Sequence, residues 1–463
     1  MNMPRPRPRT ADAAPRRRSF LKASSGLVAG AALLAACGGG PSSAPTSSSA
    51  SSAVDLAAEL KKPAELTFWT WVPGIEKEVA LFTKKYPNIK VKVVNAGQGA
   101  AQYTKLRTAL KAGTGAPDVV QVEFQYIPTF TVTNDLLDLA PYGANDVKDK
   151  FIDWTWSQVS KDGKVYAIPQ DTGPMGVLYR KDLLEKAGIA VPTTWAEFAQ
   201  AARTYRQKNP DSYLTNFPPT QGGVFAGLTW QAGAKPFAVD GQKVTVQLND
   251  SAAKRVTDFW GPLIKEGVVS TDADFTDAWY QGLAKGKYAS WITAAWGPTF
   301  LQGTAKDTAG KWVAAPLPQW SPGEKAAGNW GGSTTAVTAK TKYPAAAAEF
   351  AKFLNSDPES AKLFATEQFF FPATKSALAD PAVNGATSPF YGGQQVNKLF
   401  GEISGTVSKD FQWSPFQDYV YTSLSDTLGK AVTWKGDLTA ALDDWQKSVQ
   451  DYAKKQGFEV TGG

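Results

Sequence analysis

The stretch Glu65–Ala96, "ELTFWTWVPGIEKEVALFTKKYPNIKVKVVNA", changes its hydrophobic period twice. "ELTFWTW" (Glu65–Trp71) is a short run of β-forming residues. Ile75, Val79, Phe82 and Tyr86 then recur at the spacing of one helix face. "IKVKVVNA" (Ile89–Ala96) alternates polar and apolar residues, as a half-buried strand does. The rhythm continues through "AQYTKLRTALKAG", a helix stopped by Gly113, and "APDVVQVEF" (Ala116–Phe124), a third strand. Strands separated by helices of about 10–15 residues need crossover connections, so the spacing predicts a largely parallel sheet and an α/β class.

Further along the chain the same signals return. "MGVLYR" (Met175–Arg180) reads as a strand and "KDLLEKAG" as the helix after it. Thr194 and Glu197 form a capping box for a helix through Arg206. Pro344 starts "YPAAAAEFAKFLN", and "DPESAKLFATEQ" follows as a second helix. Residues from Tyr419 to Lys455 read as helical, with a break near Trp434–Gly436. The body from Pro63 to Val460 is too long for one core and predicts two lobes.

Toward the N-terminus the character changes. The 463 residues contain one cysteine, Cys37, and no histidine. That excludes a disulfide, a Cys–His or Ser–His–Asp nucleophile and any His-ligated metal centre. Arg5, Arg7, Arg9, Arg16, Arg17, Arg18 and Lys22 form a basic region ahead of the apolar run Leu27–Ala36. This is the layout of an export signal, too short for a membrane span. "RRSFLK" (Arg17–Lys22) resembles a twin-arginine motif, and "LAAC" (Leu34–Cys37) a lipobox whose cysteine takes a diacylglycerol. Residues 1–36 are thus expected to be a signal peptide. Residues 37–62, including "GGGPSSAPTSSSASSA", are expected to be a lipid-anchored flexible tether. The whole chain carries +7, and the signal holds seven basic side chains against one acid, Asp12, so about +1 remains. A basic face for nucleic acid loses its support.

The chemistry candidates are few. Gly97 and Gly99 lack the third glycine of a dinucleotide loop and read as a tight turn. Asp272, Asp274 and Asp277 lack the glycine and terminal glutamate of an EF-hand and read as a capped helix start. Nothing argues for an enzyme, a metal or a cofactor. What does recur, where strands end, is aromatic and hydrogen-bonding residues. Trp69 and Trp71 close the first strand, and Glu123, Gln125 and Tyr126 the third. Gln170, Asp171 and Thr172 end "GKVYAIPQDT"; Trp296 follows "YASWITAAW", and Trp330 precedes Gly331 and Gly332. Flat rings to stack on a sugar face, with carboxylates and amides for its hydroxyls, suit a polyol ligand.

From Leu66 to Val460 the chain resembles the extracellular solute-binding proteins of carbohydrate ABC importers, the group that includes maltose-binding protein. The resemblance is carried by "LTFWTW", "QYTKLRTALKAGTGAPDVVQVE", "GKVYAIPQDTGPMGVLYRKDLLEKAGI", "VPTTWAEF", "GGSTTAVTAKTKYPAAAAEFAKFL" and "FPATKSAL". It implies a two-lobed, hinged α/β fold of the periplasmic-binding-protein type that closes an interlobe cleft over ligand. Residues 63–170 and 331–372 would form one lobe, and 171–330 and 373–463 the other. It places Glu123, Gln125, Tyr126, Asp171, Trp296, Trp330, Gly331 and Gly332 in the cleft. Trp413 of "FQWSPF" stands where relatives bring an aromatic onto the sugar, and Trp230 completes the candidates with Trp69 and Trp71. Val122, Gln125 and Tyr126 stand where maltose-binding protein has Trp, Asp and Arg, which turns the reading away from maltose. The implied partners are a carbohydrate, the permease subunits and, through Cys37, the outer face of the cell membrane. The receptor is expected to be a monomer. Two alternatives compete: the same fold receiving a phosphorylated polyol or other non-sugar solute, and a secreted glycan hydrolase.

Overall fold

The computed structural model describes residues 55–462. The expected signal segment, Cys37 and the expected tether up to residue 54 lie outside the described residues. Residues 55–62, expected to belong to the flexible tether, are a correction: they carry a capped helical turn. The Asp55 carboxylate caps the helical turn Leu56–Glu59 by accepting from the Ala58 amide at 3.1 Å. The Asn88 side-chain amide then donates to the carbonyls of Leu60 and Lys62 at 2.9 and 2.8 Å.

In chain order the strands are β1 (Ala64–Trp69), β2 (Ile89–Val94), β3 (Val119–Glu123), β4 (Ser160–Lys161), β5 (Lys164–Val165), β6 (Ala167–Pro169) and β7 (Met175–Arg180). They continue as β8 (Phe237–Asp240), β9 (Lys243–Val246), β10 (Ser290–Ala294), β11 (Trp312–Pro316), β12 (Ser333–Val337) and β13 (Glu459–Thr461). The first lobe is built on the sheet β2-β1-β3-β12-β6. β1 runs parallel to β2 and β3, as the crossover spacing predicts, while β12 returns antiparallel to β3 and β6. The predicted helices are present as Glu76–Lys85 and Ala100–Ala112, the latter ended by Gly113 in the left-handed region. Phe350 of the helix Pro344–Ser356 fills the core between Phe68 and Phe82, at ring distances of 5.3 and 5.0 Å.

The second lobe carries the sheet β10-β7-β11 and, apart from it, β13-β9-β8. β7 is buried along its whole length, which its apolar run "MGVLYR" requires. The Thr194–Glu197 capping box forms and starts the helix Trp195–Lys208. Trp260 of the helix Ser251–Lys265 anchors the core against Trp195, Phe198 and Phe217. The C-terminal helices are Gln417–Asp426, Leu428–Trp434 and Leu438–Lys455, so a second break, at Thr427, joins the expected one near Trp434.

The chain passes between the sheets along three adjacent segments. Isolated bridges join Pro174 to Asn329 and Asp171 to Pro372. The Gly173 amide donates to Asn329 Oδ1 at 2.8 Å, and the Trp330 amide to the Gly173 carbonyl at 2.8 Å. Gly331 and Gly332 have φ of +82° and +92°. A Cβ on Gly332 would sit 2.8 Å from the Asp171 carbonyl oxygen. Only glycine fits both the backbone sign and the space.

Candidate functional site

β3 delivers Glu123 at its carboxyl end, opposite Ser333 in the β3–β12 register. The Tyr103 hydroxyl, on the helix Ala100–Ala112, donates to Glu123 Oε2 at 3.0 Å and accepts from the Glu123 amide at 2.9 Å. Tyr103 packs on Tyr126 at 4.3 Å between ring centres, and the Trp71 ring stands edge-on to Tyr103 at 6.4 Å. Trp71 is held by its amide, which donates to the Gln121 side chain at 3.1 Å. Trp69, the last residue of β1, is half-buried against the first-lobe core.

Asp171 sits at the crossing. Its Oδ1 accepts from the Ser333 amide at 3.1 Å and from the Gln170 side chain at 3.3 Å. Ser333 is also the register partner of Glu123, and the Glu123 charge reaches Asp171. Burial pushes the Asp171 carboxyl up to about 7, the Ser333 amide opposes this and the Glu123 charge adds to it. Burial raises Glu123 too, against hydrogen bonds from Tyr103 and Gln125.

The second lobe contributes an aromatic wall. Trp296 and Trp330 meet edge to face at 4.7 Å, and the Trp296 indole N–H donates to the Trp330 carbonyl at 3.0 Å. Phe275 joins them at 6.1 and 5.9 Å. It is 38% exposed and has φ of +56°, a conformation that costs a bulky residue energy and that clusters at functional sites. The helix Gly222–Gln231 begins directly against this wall. A Cβ on Gly223 would lie 2.2 Å from Trp330 Nε1, and one on Gly222 2.3 Å from the Tyr421 ring. Next to Phe275, burial pushes Asp274 up to about 6, opposed by the Gln221 side chain.

The two faces meet. Arg107 of the first lobe and Asp418 of the second are 2.8 Å apart, and the charges of both reach Tyr126. Beyond this pair an interlobe groove of about 880 Å³ is walled by Pro128, Lys161, Tyr166, Asp240, Gln412 and Trp413.

The structure therefore brings together Trp71, Glu123, Gln125, Tyr126, Asp171, Trp296, Trp330, Gly331 and Gly332, with Trp69 at the margin. Trp230 is a correction. It is 2% exposed, its indole N–H donates to the Ser408 carbonyl at 2.9 Å, and its ring lies flat on Phe411 at 4.3 Å. Its work is packing. Trp413 is also largely buried, edge-on to Phe411 and Trp230, and lines the groove wall. Tyr103, Phe275 and Tyr421 were not singled out from sequence. The Gly222–Gly223 pair at a helix start, where a Cβ would strike Tyr421 and Trp330, is the sequence signal that could have marked a close approach there.

Residues 69–361 match the family described as bacterial extracellular solute-binding protein. The arabinooligosaccharide-binding protein of Halalkalibacterium halodurans is 27% identical over 307 residues, 63% of this chain and 67% of that protein. The lactose-binding protein of Rhizobium radiobacter is 27% identical over 429 residues, 85% of this chain and 93% of its own. Among solved structures, the ABC transporter associated binding protein from B. animalis subsp. lactis, in complex with β-1,6-galactobiose, superposes with a TM-score of 0.74 at 33% identity. That alignment covers 86% of this chain and 100% of the other. The family match spans more than half of the chain, and the chain belongs to the bacterial extracellular solute-binding proteins, a family of binding proteins and not of enzymes.

Proposed function

We propose that the protein is a receptor that captures a sugar or oligosaccharide between its lobes and delivers it to an ABC-type permease. What supports this most is that the short segment Trp330–Ser333 joins two sets of groups: Glu123 and Asp171, both held at Ser333, and the ring of Trp330 with those of Trp296 and Phe275. Carboxylates accept from hydroxyls, and flat rings cover the apolar face of a pyranose. The names of the similar proteins, which bind arabino-oligosaccharides, lactose and β-1,6-galactobiose, support the same class. The working lobes are taken as 63–170 with 331–372, and 171–330 with 373–463. The receptor acts as a monomer, exported by the signal in residues 1–36 and anchored outside the cell through acylated Cys37.

Thermal denaturation with arabino-oligosaccharides, lactose, β-1,6-galactobiose and phosphorylated polyols tests the reading. A ligand at about a hundredfold its dissociation constant stabilises the bound form by roughly 2.7 kcal/mol, a clear rise in Tm. A shift with the phosphorylated compounds alone would overturn it. Release of the Cys37→Ala variant from membranes tests the anchor, and retention of a fully processed variant would refute it.

A further inference from the structure

We infer that Glu123 and Asp171 act together as a charge filter, so that the cleft takes neutral saccharides and rejects those carrying a carboxylate. This rests on the sugar-binding reading above and goes beyond it in naming which sugars are refused and by which atoms.

Three observations carry it. Both residues meet at Ser333: Glu123 pairs with it in strand register, and the Asp171 carboxylate accepts its amide N–H at 3.1 Å. Their hydrogen-bond partners are a tyrosine hydroxyl, side-chain amides and a backbone amide, and among the described residues neither carboxylate is paired with a lysine or arginine. The guanidinium that does reach this region, Arg107, is already neutralised by Asp418 at 2.8 Å. A third carboxylate, Asp274, lies largely buried beside Phe275. A ligand carboxylate brought within about 6 Å of such groups, at an effective dielectric near 20, meets repulsion that no cation relieves. A hydroxyl at the same position donates to them instead. The mutual repulsion of Glu123 and Asp171 is relieved by such donors and worsened by a further anion.

The test uses matched ligands. Lactose and β-1,6-galactobiose head a panel of neutral di- and trisaccharides. Each is compared by calorimetry at pH 8 with its derivative oxidised at the primary hydroxyl to a uronic acid, and with the methyl ester of that acid. The expected result is binding of the neutral sugar, at least tenfold weaker binding of the acid, and recovery with the ester, whose shape is close to the acid's but whose charge is gone. In Glu123→Gln with Asp171→Asn the gap between neutral sugar and acid should narrow by about tenfold. Equal affinity for a neutral sugar and its acid overturns the filter and leaves the sugar receptor standing. Weakening that persists in the ester also overturns it, since shape and not charge would then discriminate. If no neutral saccharide binds, the sugar-binding reading itself fails and the filter falls with it. The wild-type comparison decides the matter even where the double variant does not fold.

Discussion

Arg107 Nη1 lies 2.8 Å from Asp418 Oδ2 and so ties a helix of the first lobe to a helix of the second across the mouth of the cleft. Both side chains are more than a third exposed, so the pair is screened and contributes about 0–1 kcal/mol. A bias of that size toward the closed form changes apparent affinity up to about fivefold. Arg107→Ala should therefore weaken binding modestly at low salt and little at 0.5 M salt. Calorimetry at the two salt concentrations checks this. Equal affinities of variant and wild type at both would show that the pair is not a latch.

Trp296 and Trp330 should separate on mutation. The Trp296 indole N–H holds the Trp330 carbonyl at 3.0 Å, so Trp296→Phe loses a hydrogen bond and about 1 kcal/mol of stability as well as contact area. Trp330 offers a ring over Gly223, and Trp330→Ala should cost on the order of 2 kcal/mol of binding, about thirtyfold, with little change in ligand-free Tm. A collapse of the ligand-free Tm in Trp330→Ala would make that ring core.

Phe275 offers a less ordinary contrast. Ala at this site removes the ring and keeps the backbone strain at φ +56°, whereas Gly removes both. The strain is about 1–2 kcal/mol, more than the roughly 0.4–1 kcal/mol by which Gly favours the unfolded chain. Phe275→Gly should therefore melt no lower than Phe275→Ala, while both bind ligand more weakly. A Gly variant clearly less stable than the Ala variant would mean that the left-handed backbone carries no strain.

The first-lobe strands and helices were legible because their residues alternate with periods near 2 and 3.6, and the strand-end rule led to Glu123, Asp171, Trp296 and Trp330. Trp230 misled because the helix Gly222–Gln231 is buried nearly all round. Without a polar face, its sequence does not say which side meets the cleft. The hairpin β8–β9 and strand β13 are three or four residues long, and β13 pairs with β9 from more than 200 residues away. No local pattern encodes that pairing. The break at Thr427 was hidden because threonine is tolerated in helices; its hydroxyl donates to the Ser423 carbonyl, one turn back. The sign of φ at Phe275 leaves no trace in residue type, and Tyr103 looked like any core residue of an amphipathic helix.

Burial pushes Asp171 and, on the helix Glu76–Lys85 beside Gln368 and Glu367, Glu78 up to about 7. Unfolded carboxyls titrate near 4, so the native chain holds both protons over a range in which the unfolded chain has released them. Stability from these groups is fully present below about pH 4 and falls as pH rises to about 7. Asp171→Asn, which keeps an oxygen for the Ser333 amide, should match wild type near pH 4. It should exceed wild type by pH 8, by on the order of 3–4 kcal/mol at most. Glu78→Gln should show a difference of the same sign. Ligand separates the two. Sugar hydroxyls donating to Asp171 favour its carboxylate and lower its pKa, so saturating ligand should shrink the advantage of Asp171→Asn at pH 8. The advantage of Glu78→Gln should be untouched. Tm measured from pH 4 to 8, with and without a bound saccharide, reads both. An Asp171→Asn difference that ignores ligand would remove Asp171 from the binding site.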